Sequence, residues 1–235
     1  MREVNISQLW SRAWDLFKVN WLLLLVLLVS LPSIIVILFF IILIPHYMLV
    51  PIYVLLAYIL LMPVLVRAGY LVARQGQLSS GEVFRDLSSL LKIFVYELTL
   101  LLILWLLLRI APSGWDGLDI LVVAGFIILS LNFFGWAAPY YVLSGRAGIF
   151  GAIGQSFSLT WQNFSKVFVA LLSLIGLLIL GLLLLRLGFL ADVPILILGG
   201  VLLWGLWLLV VGPMAFVFWP LLYLALTGEE GASHA

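Results

Sequence analysis

NISQLWSRAWDLFKVNW, residues 5–21, places Ile6, Leu9, Trp10, Ala13, Trp14 and Phe17 on one stripe at helical period. Ser7, Gln8, Ser11, Arg12, Asp15 and Lys18 fill the opposite face. A helix of this kind cannot bury an aromatic stripe in water by itself, and a bilayer surface supplies the apolar partner. The chain then runs straight into an unbroken apolar segment of about twenty residues, the length of a membrane span. The stretch therefore predicts an interfacial helix feeding a transmembrane one, and related stretches recur twice.

Composition agrees with this reading. Of 235 residues, 66% are hydrophobic and 9% charged, with a mean hydropathy of +1.33, whereas apolar residues make up roughly half of a soluble domain. Membrane barrels show alternating segments of about ten residues; here the apolar runs are continuous, so the expected class is an all-α polytopic membrane protein. A formal charge of +1 provides no field for nucleic acid. The absence of cysteine excludes disulfides, thiolate catalysis and cysteine-ligated metals. The first apolar run is too long for a signal-peptide core, follows a helix carrying Glu3 and Asp15, and lacks a small-residue cleavage site, so it is expected to be retained.

Six spans are expected, at 21–43, 49–72, 93–108, 119–143, 167–185 and 195–217, the last continuing toward Leu226. Pro32, near the middle of the first span, is an expected kink, and Pro51 and Pro63 interrupt the second in ways that neighbouring helices can absorb. Ser79 and Glu82 form a capping box ahead of Val83, Phe84, Leu87 and Leu91, predicting a second surface helix. Gly148, Gly151 and Gly154 open a third, with Ile153, Phe157, Trp161 and Phe164 as its apolar face.

Offsets of 74 and 73 residues bring Trp10, Phe84 and Phe157 together, and likewise Phe17, Leu91 and Phe164, and the N-cap positions Asn5-x-x-Gln8 match Ser79-x-x-Glu82. Pro63, Pro139 and Pro213 lie 76 and 74 apart, and Arg109 and Arg186 close odd spans 77 apart with Asp119 and Asp192 just beyond. Such self-similarity marks a repeated unit. The expected architecture is one six-helix membrane domain, residues 1–226, built from parallel repeats of about 1–73, 74–147 and 148–226, with 227–235 a disordered tail. Basic residues near span ends favour the cytoplasm. Arg2, Arg12, Lys18, Arg67, Arg74, Arg85, Lys92, Arg146 and Lys166 oppose Arg109 and Arg186, which makes both termini and all three surface helices cytoplasmic.

Two stretches carry a family resemblance. Ser11–Trp21, Ser-x-Ala-Trp-x-x-Phe-Lys-x-Asn-Trp, and Ser156–Lys166, Ser-Phe-x-Leu-Thr-x-x-Asn-Phe-x-Lys, resemble bacterial six-helix inner-membrane proteins. The group includes the YciC-like proteins and the membrane domain attached to some glycerophosphoryl diester phosphodiesterases. The resemblance implies a six-helix fold and an inner-membrane location. The soluble phosphodiesterase domain of the fused forms has no counterpart in these residues, so no catalytic residue carries over.

Little in the sequence speaks for chemistry. His46 and His234 have no metal partner set at recognised spacing, and His46 reads as an interfacial residue, with pigment or haem ligation the alternative. No cofactor is expected. Gly148 to Gly154 follows no strand and reads as close helix packing. Glu97 lies inside an expected span and Asn132 near the middle of another; each is a candidate intramembrane polar site, against an interfacial carboxylate and an interhelical hydrogen bond. Arg109 with Asp116 or Asp119, and Arg186 with Asp192, read as pairs stitching the outer turns. Arg12, Lys18, Arg85, Lys92, Arg146 and Lys166 are the candidates for contact with lipid phosphate.

The expected function is a non-enzymatic membrane protein that binds lipid or serves as a membrane subunit or scaffold of a larger assembly. Its expected partners are membrane lipids and other membrane subunits, not nucleic acid. The alternative is a transporter of small molecules or ions through a central pseudo-threefold cavity. An intramembrane enzyme ranks third, since no Ser/His pair or metal site supports one.

Overall fold

The computed structural model describes residues 4–22, 24, 50–109, 130, 133–189 and 194–229, and every helix or strand among them is a helix. In chain order these are α1 (6–22), α2 (Val50–Gln75), α3 (Ser80–Arg85), α4 (Leu87–Arg109), α5 (Ala138–Leu143), α6 (Ile149–Gln162), α7 (Phe164–Phe189) and α8 (Pro194–Thr227). Phe164–Leu183 in α7 and Leu202–Thr227 in α8 are long and apolar enough to cross a membrane. The expected first and fourth spans fall largely outside the described residues, as do Pro32, His46, Asp116, Asp119, Asn132, Asp192 and His234.

The chain divides into two compact units. One comprises Met1–Ser33, Ala68–Leu78 and Asn163–Ala235; the other comprises Ile34–Arg67 and Ser79–Gln162.

The first unit is organised on the C-terminal half of α8. That helix is apolar all round, and Val217, Phe218, Leu221, Leu222 and Tyr223 are wholly enclosed. Its earlier residues Leu202, Leu203 and Leu206 are exposed, as is most of α7 between Phe164 and Leu183. In α1, Asn5 accepts backbone N–H bonds from Ser7 at 3.0 Å and Gln8 at 3.4 Å, the expected N-cap. Leu9, Ala13 and Phe17 are buried, Trp10 stacks on Phe218 at 4.0 Å, and its indole donates to Ser173 Oγ at 2.8 Å. Trp14 and Trp21 point outward.

In the same unit Gly69 lies against α8, so close that a Cβ there would sit 1.9 Å from the Phe216 carbonyl oxygen. Pro220 has no N–H for the carbonyl four residues earlier. That carbonyl belongs to Phe216, and only a residue without a Cβ can come so near it.

The second unit contains a break. Residues 133–135 are helical, Trp136 and Ala137 form a turn, and α5 starts afresh at Ala138. Pro139 cannot bond to the Gly135 carbonyl; Tyr96 of α4 donates its hydroxyl to it at 3.0 Å. Ser156 of α6 replaces two more missing partners, donating to the Phe134 carbonyl at 2.7 Å and accepting the Ala137 N–H at 3.1 Å. Trp136 donates its indole N–H to Thr160 Oγ1 at 2.9 Å, and Phe134 stacks on Phe157 at 4.2 Å.

The structure departs from the sequence reading at the second surface helix. The second surface helix is only six residues long, Ser79 makes no side-chain cap bond, and Leu87 and Leu91 belong to α4 beyond a break at Asp86. Asp86 stops α3 because its carboxylate captures the Ser88 hydroxyl at 2.8 Å and the Ser89 N–H at 3.2 Å, opening α4 instead. The aromatic residues of the third surface helix face outward: Phe150 is 81% and Trp161 69% exposed, while Ala152, Ser156, Leu159 and Thr160 face inward. The last helix, α8, runs through Thr227, and Glu229 accepts the Tyr223 hydroxyl at 3.2 Å.

Buried residues follow a 4, 4, 3, 4 spacing at Leu9, Ala13, Phe17, Asn20 and Leu24, and the same spacing joins Ala152, Ser156, Thr160, half-buried Asn163 and Val167. Val83, Asp86 and Leu90 continue the pattern. Asn20, half-exposed Asp86 and half-buried Asn163 share this place in the spacing, at offsets of 66 and 77 residues. Arg109 and Arg186 share the 77-residue offset.

Candidate membrane-interface site

Three polar elbows, Asn20 within α1, Asp86 between α3 and α4 and Asn163 between α6 and α7, can be built from their residues. Asn20 is buried near the end of α1 and uses its whole amide: Nδ2 donates to the Leu16 carbonyl at 2.9 Å and the Gly76 carbonyl at 3.0 Å, while Oδ1 accepts the Leu78 N–H at 2.8 Å. Gly76 ends α2 with φ +81°, a left-handed cap that glycine adopts without steric cost. Gly145 and Gly228 end α5 and α8 in the same way, with φ +73° and +75°.

Asp86 is held by Arg67, which lies buried near the end of α2. Its guanidinium donates to the Asp86 carbonyl at 3.0 Å and the Glu82 carbonyl at 3.3 Å, and sits 3.2 Å from the carboxylate. Arg67 therefore satisfies orphan carbonyls at the end of α3 and neutralises the residue that opens α4. Hydrogen bonds from the Ser89 and Ser88 hydroxyls and the Ser89 N–H, with help from Arg67, hold the Asp86 carboxyl far below the usual carboxylate range. At the third elbow Asn163 is the single residue separating α6 from α7.

Each elbow is followed at once by an exposed apolar residue, Trp21, Leu87 or Phe164. Each also carries a base within three residues: Lys18, Arg85 and Lys166. Lys18 pairs with Asp15 at 2.8 Å and lies 5.8 Å from the Trp14 ring centre. The other three expected bases lie farther along the chain from these elbows, Arg12 and Lys92 on the exposed sides of α1 and α4 and Arg146 just after Gly145. Glu97 is half-buried on α4 beside Tyr96. Asn132 lies outside the described residues. Among the described residues no group of three or more His, Asp or Glu could hold a metal.

Arg67 and Asn20 are the site residues that sequence reasoning passed over. Arg67 was counted only as a topology charge, although a base nine residues before a helix-ending glycine sits too deep for an idle surface position. The Asn20 signal lay in the Asn-Trp ending of the quoted pattern. Compared with known proteins, the chain matches no family model, no curated sequence and no solved structure. Its function must be argued from its own residues.

Proposed function

We propose that the chain is a polytopic membrane protein of six spans in three parallel repeats, with both termini on the cytoplasmic side of a bacterial inner membrane. It acts without catalysis, holding anionic lipid at its cytoplasmic rim and thereby serving as a membrane subunit or scaffold. The single observation that carries this reading is the recurrence of one grouping at Asn20, Asp86 and Asn163: a polar residue, an exposed apolar residue after it, and a base within three positions. An apolar side chain seats in the acyl boundary and a neighbouring cation meets phosphate at the height of the headgroups. The outward aromatics Trp14, Phe150 and Trp161 extend the same belt. The resemblance to YciC-like proteins would give the same fold and location.

Each base near an anionic surface contributes about 1 kcal/mol, so removing three costs roughly 3 kcal/mol, or about a hundredfold in lipid retention. Protein purified from mixed phosphatidylglycerol and phosphatidylcholine membranes is expected to retain the anionic lipid, measured by native mass spectrometry. Replacing Lys18, Arg85 and Lys166 together by glutamine abolishes that preference, and replacing Arg12, Lys92 and Arg146 weakens it less. Equal retention of both lipids, unchanged in the first triple variant, removes the lipid reading.

A further inference from the structure

We propose that α6 is a latch that transmits bilayer thickness to the break before Pro139. This rests on the interfacial placement of α6 proposed above. Three observations in the second unit converge on it. The helix that should run through residues 133–143 breaks at Trp136 and Ala137, and the Phe134 and Gly135 carbonyls and the Ala137 N–H are bonded to side chains of other helices. Two of those three groups are bonded to one side chain of α6, the Ser156 hydroxyl, which is wholly buried. One turn farther along α6, Thr160 holds Trp136 of the turn itself, and between them Phe157 stacks on Phe134.

The same helix presents Phe150, Phe157 and Trp161 outward and carries no charged residue between Ile149 and Gln162. Its depth is therefore set by apolar insertion and not by attraction to headgroup charge. When the bilayer thins or thickens, a helix so seated follows the interface, while α4 keeps its grip on Gly135 through Tyr96. The mismatch falls on the break, where Ser156 and Thr160 pull on Phe134, Trp136 and Ala137. The amides just after the break, Tyr140 and Tyr141, both bonded to the Ala137 carbonyl, report the change.

The test is hydrogen exchange of the peptide covering 133–143, with the full chain in vesicles of short-chain and of long-chain phosphatidylcholine. Quenching of Trp161 by lipid-borne bromine, read against the other tryptophans by Trp161→Phe, fixes the depth of α6. Wild-type exchange is expected to differ severalfold between the two bilayers. Thr160→Val, which keeps the side-chain shape, and Ser156→Ala are expected to raise exchange about tenfold, the effect of losing one or two hydrogen bonds, and to remove its dependence on thickness. Thr160→Val alone decides the matter if Ser156→Ala does not fold. Exchange that is the same in both bilayers for the wild type, or a thickness dependence that survives in the variant, overturns the latch while leaving the lipid reading intact. Absence of Trp161 quenching overturns the interfacial placement, and the latch with it.

Discussion

Replacing Gly69 by alanine is expected to be among the most damaging single-methyl changes in this chain. The added Cβ would lie 1.9 Å from the Phe216 carbonyl oxygen and 2.8 Å from its carbon, whereas a carbon needs roughly 3.3 Å from such an oxygen. The backbones of α2 and α8 must therefore part by about 1.4 Å, and no side chain can rotate to spare them. Overpacking costs about 1–3 kcal/mol, and backbone on both sides puts this case at the upper end. For a chain of this size the loss corresponds to a fall in Tm of about 6–12 °C, read from tryptophan fluorescence on heating in mild detergent. Two glycines of α7 calibrate the assay. At Gly181 a Cβ would meet Trp207 Cδ1 at 2.5 Å, but that ring can turn away by giving up its 2.9 Å bond to the Leu177 carbonyl, for about 1–2 kcal/mol. At Gly176 it would meet nothing within 4 Å, and Gly176→Ala is expected to melt no earlier than wild type. A Gly69→Ala protein that melts with Gly176→Ala refutes the close approach of α2 to α8.

Asn20→Ala strands the Gly76 carbonyl and the Leu78 N–H, both bonded by the buried amide, and is expected to cost about 2–4 kcal/mol in the same melting assay. Tyr96→Phe leaves the Gly135 carbonyl without its donor, with an expected loss of about 1–3 kcal/mol and faster amide exchange confined to residues around the break. Asp86 gives a pH signature: its folded pKa lies below the unfolded value of roughly 3.9. The stabilisation it contributes is thus complete above that value and is lost as pH falls through the folded pKa. Asp86→Asn, expected to be less stable than wild type at neutral pH, should show a smaller further loss in Tm below about pH 4; an acid limb identical to wild type would remove Asp86 from that role.

The helical class and the N-cap at Asn5 were legible because they depend on local chemistry: apolar length, period and a side chain within reach of its own backbone. The direction of the aromatic stripes was not. An apolar stripe at helical period does not say which of its members packs against the rest of the chain. The stripe of α1 accordingly splits, with Leu9, Ala13 and Phe17 inward and Trp14 and Trp21 outward. Asp86 illustrates a different limit. Val83, Phe84, Leu87 and Leu91 keep helical period across it, and only the two serines that follow reveal that the carboxylate has a better use as a cap than inside a helix.

Prolines were read from sequence as interruptions that neighbours would absorb, and the structure shows how differently two neighbours do so. At Pro220 the helix continues and the orphaned Phe216 carbonyl is met by Gly69, which brings two backbones together. At Pro139 the helix breaks, and its orphaned groups are taken by Tyr96 and Ser156, which leave the segments tied to α4 and α6 by side chains alone. A backbone held by backbone has no rotamer through which to yield, whereas a backbone held by hydroxyls can exchange one partner for another at the cost of a hydrogen bond. The first arrangement therefore builds a rigid crossing in the first unit, and the second builds a joint in the other. The two glycine positions carry the same contrast. Gly69 must be glycine because another backbone lies where its side chain would be, but Gly135, where a Cβ would meet only the Tyr96 hydroxyl at 2.9 Å, must be glycine only while that tyrosine stays in place. Gly135→Ala combined with Tyr96→Phe should accordingly be less harmful than the sum of the two single changes, and no partner substitution of a side chain can do the same for Gly69→Ala.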